Sequence, residues 1–250
     1  MTIACTTYAD FSNISNSQLN TIGEKIFKNE CMGQKKYLTH WNKGEDFASM
    51  GIGHFIWYPT ETKGRFDESF PKLMTYYLQK NIALPSWLYP NKACPWKSQE
   101  DFYKNFNSRK MIFLRNLLNN TKNVQIEFIA SRMQAALPKI LINTSPAQKK
   151  NIEFQFNRMV ESKGGLYPLI DYVNFKGEGI LDTEKYNGNG WGLMQVLENM
   201  KGKTSGNDAL NEFADSAISV LKRRVANAPD KTYEEKWLPA WISRVNTYRT

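Results

Sequence analysis

From residue 68 almost to the C-terminus, apolar residues return at three- and four-residue spacing, and only one earlier stretch has the look of sheet. No other feature of the chain limits its fold as much. Met111, Leu114, Leu117 and Leu118 illustrate the helical period within 99–118. The same period predicts helices over 68–80, 124–141, 146–161, 166–175, 191–200, 207–225 and 233–248, with Pro138 kinking or ending the one it falls in. Residues 16–29 form an earlier helix on the same grounds. Ser15, Asn16 or Ser17 can cap it, Ile22, Ile26 and Phe27 share a face, and it should stop near Glu30, before Cys31-Met32-Gly33. Residues 47–58 are small, β-branched or aromatic, carry Gly51 and Gly53, and end at Pro59, which predicts a short hairpin or sheet. Gly164-Gly165 interrupts the helical run, and 177–190 reads as a glycine-rich loop.

A small β-containing lobe at 31–68 beside a helical remainder is an α+β arrangement. It is expected as one domain over 16–250, behind a polar surface arm at 1–15, with a cleft between the lobes as the natural active site. At 250 residues the chain can bury a full core without staples. Cys5, Cys31 and Cys94 are too few and too irregular for a disulfide framework or a zinc site, although a Cys31–Cys94 bridge stays open.

Thirty-three basic residues against twenty-four acidic ones give +9, which draws the molecule to polyanions: nucleic acid, anionic membrane or bacterial cell wall. The basic residues are scattered and form no helix-turn-helix or zinc-finger signature, so no specific nucleic-acid partner is expected. No apolar run approaches the roughly 18 residues of a membrane span. Ile3-Ala4-Cys5 looks like the tail of a signal or lipoprotein cleavage site, pointing to a periplasmic or secreted protein, with a cytoplasmic endolysin as the alternative.

The carboxylates near the sheet carry the chemistry. Glycosidic cleavage needs a protonated carboxyl for the leaving oxygen and usually a second, ionised one, as base or nucleophile. Glu30, at a helix end beside Ile26, Phe27 and Met32, can be desolvated into the donor role; otherwise it is a surface glutamate. Glu45 and Asp46 sit in the turn before the strand, where side chains either overhang a cleft or are simply solvated. Ser49 can hold a water from the strand, and Gly51 and Gly53 allow a sugar to approach the backbone or mark a bulge. His54, with His40 the only other histidine, is a base or a structural tie of the hairpin.

Ile22-Gly23-Glu24-Lys25-Ile26-Phe27-Lys28-Asn29-Glu30, followed by Ser49-Met50-Gly51-Ile52-Gly53-His54, resembles the catalytic helix and the Thr-Ile-Gly-Ile/Tyr-Gly-His strand of bacteriophage-type lysozymes. The resemblance implies a lysozyme-like fold with Glu30 as general acid. More faintly, Tyr172-Val173-Asn174-Phe175-Lys176-Gly177 resembles the family's buried helix, 191–200 its following helix, and Trp237 and Arg244 a C-terminal Trp and Arg, the arginine lying near the catalytic glutamate in that family. The chain departs from the pattern where the family has an aspartate: the neighbourhood reads Trp41-Asn42-Lys43-Gly44-Glu45-Asp46. Glu45 inherits the second-carboxylate role, with Asp46 next, and Ser49 keeps the hydroxyl of the family's threonine.

Glu178 followed by Gly192-Leu193-Met194-Gln195 resembles a pair of lytic transglycosylase motifs, but in that family the glutamate ends an early helix. Glu178, Asn187 and Trp191 are then expected on the far wall of the cleft, with Asp46, His54 and Arg244 as further substrate contacts. The resulting expectation is a monomeric muramidase-like hydrolase of peptidoglycan, needing no cofactor or metal, with Glu30, Glu45 and Ser49 as its catalytic residues. Lytic transglycosylase, chitinase or chitosanase activity on the same fold and a non-catalytic cell-wall binder are the rivals. Chitosan is cationic, so +9 counts against it.

Overall fold

In the computed structural model, residues 14–62, 64 and 66–249 are described; most of the expected 1–15 arm, including Cys5, lies outside them. The protein is mainly helical with a small antiparallel sheet, an α+β arrangement. It divides into two compact units, one of residues 15–129 and one continuing from 130.

In the first unit, α1 (Asn16–Cys31) begins at Ser15, whose hydroxyl accepts from Gln18 N–H while the Gln18 side chain accepts from Ser15 N–H. It buries Ile22, Ile26, Phe27 and Cys31 and ends in left-handed Met32 and Gly33. Strands β1 (Thr39–His40), β2 (Ala48–Met50) and β3 (Phe55–Trp57) form an antiparallel sheet in that order. The register sets His40 against Ser49, and Ser49 against Ile56, so these three side chains share a face. Helices α2 (Phe70–Gln79), α3 (Gln99–Lys104) and α4 (Arg109–Asn120) complete the unit, and α5 (Lys122–Ile142) begins in it. Its core is aromatic: Trp57 lies 4.6 Å from Phe70, and Phe102 contacts Trp96 and Trp41 at 5.4 and 5.8 Å between ring centres.

One local expectation changes here, and the alternatives at Pro138 narrow to a helix that does not end there. The helix foreseen over 99–118 is two, because Ser108 caps a fresh start by accepting from Met111 N–H at 3.3 Å. Conversely α5 runs through Pro138. A proline deletes only one backbone donor, and the buried stripe of Met133 and Leu137 continues past it at Ile140.

The second unit holds the rest of α5, then α6 (Pro146–Glu161), α7 (Leu166–Lys176), α8 (Leu193–Asn199), α9 (Asn207–Asn227), α10 (Lys231–Glu235) and α11 (Leu238–Asn246). The helix foreseen over 233–248 is broken at Trp237-Leu238-Pro239, where proline takes the first turn of α11. The expected loop at 177–190 contains a hairpin, β4 (Lys185–Tyr186) and β5 (Asn189–Gly190). Its turn, Asn187-Gly188, has φ of 50° and 75°, the left-handed pair that matches strand twist. Asp171, fully buried on α7, accepts Arg244 Nε and Nη2 at 2.9 and 2.8 Å and the Tyr248 hydroxyl at 2.5 Å, tying α11 and the C-terminal turn to the core. Cys31 and Cys94 are buried free thiols, so no bridge joins them.

Candidate active site

The last turn of α1 and the turn between β2 and β3 bring Glu30 to His54. Glu30 Oε2 lies 3.3 Å from His54 Nδ1, with side chains only 13 % and 24 % exposed. His54 reaches this position from a left-handed backbone, φ 47°, a conformation costly for a residue with a Cβ. The turn that imposes it is held from α5. Gln125, fully buried, accepts Ile52 N–H through Oε1 at 2.9 Å and donates through Nε2 to Leu118 C=O at 2.7 Å. Gly51, at φ 72°, makes room for it: a Cβ there would stand 2.2 Å from Gln125 Oε1.

Behind His54, Cys31 Sγ lies 3.9 Å from Nε2 and within 3.7 Å of the Tyr37 and Gly51 carbonyls. Burial, then the neighbouring Glu30 charge, push this thiol far above its ordinary range. The order Cys31, His54, Glu30 is therefore no nucleophilic triad. The sulfur is inaccessible and stays protonated, a weak donor to its polar neighbours.

A second carboxylate joins through His40. The His40 and His54 rings are near-parallel with centres 6.3 Å apart. Asn42 Nδ2 donates to Glu45 Oε2 at 3.0 Å, which leaves Asn42 Oδ1 to accept from His40 Nε2 at 2.9 Å. His40 Nδ1 faces the Tyr103 hydroxyl at 3.0 Å. The same hydroxyl accepts Trp41 N–H at 3.3 Å and lies 3.1 Å from Trp41 C=O, its single proton serving either that carbonyl or His40, and the Trp41 indole donates to Glu45 C=O at 2.7 Å, so the 41–45 turn is braced at side chain and backbone. Burial pushes the Glu45 carboxyl above its ordinary range, while the Asn42 hydrogen bond and the charge available on His40 pull it partly back. Glu30, His54, His40, Asn42 and Glu45 thus form one connected array.

Ser49 is buried on the central strand, on the His40 face, and its hydroxyl has no hydrogen-bond partner among the described residues. Asp46 is exposed. Glu178, Trp191 and Arg244 belong to the second unit. Glu178 pairs with Lys139 at 2.9 Å, and its carbonyl accepts Met194 N–H at 3.0 Å, so it does meet the Gly192–Gln195 segment, through backbone. Gln195 closes that contact by accepting Gly192 N–H and donating to Gly179 C=O. Trp191 is buried between Tyr186 and the Arg224 guanidinium, and Arg244 is committed to Asp171, so both serve the interior of their unit.

The sequence reading missed what connects the carboxylates. Asn42, which stands where an amide cannot serve as a base, is the group that orients Glu45. Tyr103 and Gln125 lie far along the chain, in a region whose only signal was helical period. Only His40, as one of two histidines, carried a signal that could have been followed. Compared with family models, curated proteins and solved structures, the chain finds no match in any of the three. Among the described residues no helix is long and apolar enough to cross a membrane.

Proposed function

We propose that the protein is a lysozyme-like glycoside hydrolase that cleaves β-1,4 bonds of peptidoglycan. The observation that carries this reading is the array just described: two shielded carboxylates, Glu30 and Glu45, held at opposite ends of one set of hydrogen-bonded and stacked side chains. Glycosidic cleavage uses such a pair, one carboxyl protonating the leaving oxygen and the other acting on the sugar's far face through water or directly. In this reading Glu30 is the proton donor, Glu45 the second carboxylate, and Ser49, with its uncommitted hydroxyl, helps to place water. His54 orients Glu30, and Asp46 contributes at the rim. Net charge of +9 favours an anionic polymer such as cell wall, which sets the work in the periplasm or outside the cell, or in an endolysin released to it.

A second assignment exchanges the two roles, and the burial of Glu45 favours it, because a carboxyl pushed upward keeps its proton to higher pH. Substrate choice separates the two. A glycoside whose leaving group needs no protonation keeps its rate when the donor is lost and not when the second carboxylate is lost.

The test is clearing of purified peptidoglycan by wild type, Glu30→Gln and Glu45→Gln, with products analysed by mass spectrometry. Clearing by wild type alone, with new reducing ends, is the expected result. Anhydro-sugar ends would make the protein a lytic transglycosylase, and clearing by Glu30→Gln at the wild-type rate would remove Glu30 from the mechanism. Wall binding without clearing by any of the three proteins would leave the non-catalytic binder.

A further inference from the structure

The polar side of α9 borders a cavity that the Glu30 array does not use. Along this helix Glu212, Asp215, Ser219 and Arg223 recur at three- and four-residue intervals, the stripe left over when Leu210, Phe213, Ala217, Val220 and Leu221 are buried. With Glu198 from the last turn of α8 and Lys201 just beyond it, they line an open cavity of about 600 Å³ within the second unit.

Most of the charge there is already matched. Glu212 takes Arg158 Nη1 at 2.5 Å and the backbone N–H of Lys201 and Gly202 at 2.6 and 2.8 Å, and Asp215 takes Arg249 at 2.5 Å. Two groups line the cavity with their charge unmatched, and Lys201 at its edge is a third. The Glu198 carboxylate has neither hydrogen bond nor ion pair among the described residues. Arg223 spends one Nη on Gly190 C=O at 3.3 Å, and its Nε is buried with no acceptor. These two charges are close enough to influence each other, yet they do not pair. A buried donor without an acceptor is costly, and so is a half-buried carboxylate without a donor.

We infer that this cavity binds an α-amino acid, its carboxylate on the edge of Arg223 and its ammonium on Glu198. Turning the guanidinium presents Nε and an Nη side-on to one carboxylate, exchanging the long bond to Gly190 for two charge-assisted ones. An anion without an amine would face the Glu198 charge, and a bare cation would face Arg223. Lys201, exposed at the edge, uses Nζ only on the Glu198 carbonyl, so the unmatched set is two cations and one carboxylate. That count fits an acidic amino acid such as glutamate best. Burial supports the picture from the other side: it pushes the Glu198 carboxyl above its ordinary range despite Arg223 and Lys201, and a bound ammonium would draw it back. This site is independent of the glycosidase reading.

The experiment is calorimetric titration of the full chain with glutamate, glycine and acetate, on wild type, Arg223→Gln and Glu198→Gln, with melting curves for each protein. Saturable binding of glutamate, weaker binding of glycine and none of acetate are expected. Either variant should weaken glutamate binding about tenfold or more while clearing activity is unchanged. If Arg223→Gln melts early, the near-isosteric Glu198→Gln carries the test. No saturable heat from glutamate at tens of millimolar, acetate binding as tightly as glutamate, or undiminished glutamate binding by folded Glu198→Gln would each overturn the inference.

Discussion

Replacing Gly51 with alanine tests the construction of the candidate site at one atom. The substitution forces a Cβ into a left-handed backbone, at about 1–2 kcal/mol. It also places that Cβ 2.2 Å from Gln125 Oε1, so the amide must leave its position. Ile52 N–H and Leu118 C=O then lose their buried partner, and weakening both adds about 2–3 kcal/mol. The sum, about 3–5 kcal/mol, is a large part of an ordinary domain's stability. In a Gln125→Ala background the collision with the amide and the two bonds are already gone, and Gly51→Ala should cost its backbone strain, about 1–2 kcal/mol, plus a shift of a few tenths of an ångström by the Phe55 ring, 3.2 Å from the new Cβ. The assay is urea unfolding of all four proteins of the cycle, followed by tryptophan fluorescence, to which the buried Trp41, Trp57 and Trp96 of the same unit contribute. A Gly51→Ala cost below about 1 kcal/mol, or the same cost in both backgrounds, would refute the claim that Gln125 sets this turn.

Three further outcomes are expected. His54→Gly relieves a left-handed side chain while removing the Glu30 contact, so stability should stay within about 1 kcal/mol of wild type while peptidoglycan clearing falls; unchanged clearing would exclude His54 from the site. Asp171→Asn leaves Arg244 buried without its charge partner and should cost about 3–5 kcal/mol in a thermal or urea melt, and a loss under 1 kcal/mol would contradict the tie between α7 and α11. The folded pKa of Glu45 lies above its unfolded value, so between the two the folded protein holds the extra proton, and stability falls as pH rises from about 4.5 through the raised value. Glu45→Gln should remove that part of the slope, and equal pH–stability curves for the two proteins would show that Glu45 is not buried enough to matter.

Much of the fold was legible locally because its causes are local. Ser15 and Gln18 close a capping box within four residues, and residues 146–161 were readable as helix to both ends from their period alone. The errors have local causes too. Ser108 and Pro239 are start signals inside long apolar patterns, and the period hid them. Asn187-Gly188 is a two-residue hairpin turn whose strands are so short that no alternation announces them.

The sequence by itself determined the helical period, the short sheet with its glycine turn, the excess of positive charge, and Glu30 at the end of a capped helix, since each depends on residues a few positions apart. Only the tertiary structure decided which side chains meet. His54 reaches Glu30 because Gln125, more than seventy residues away, holds the turn, and Glu45 is oriented by an amide that bonds to a histidine braced by Tyr103. Arg223 and Glu198 share a cavity because two helices lay their polar edges together. Hydrogen bonds and charge pairs act over a few ångströms in space, and distance along the chain says nothing about that separation once the chain has folded.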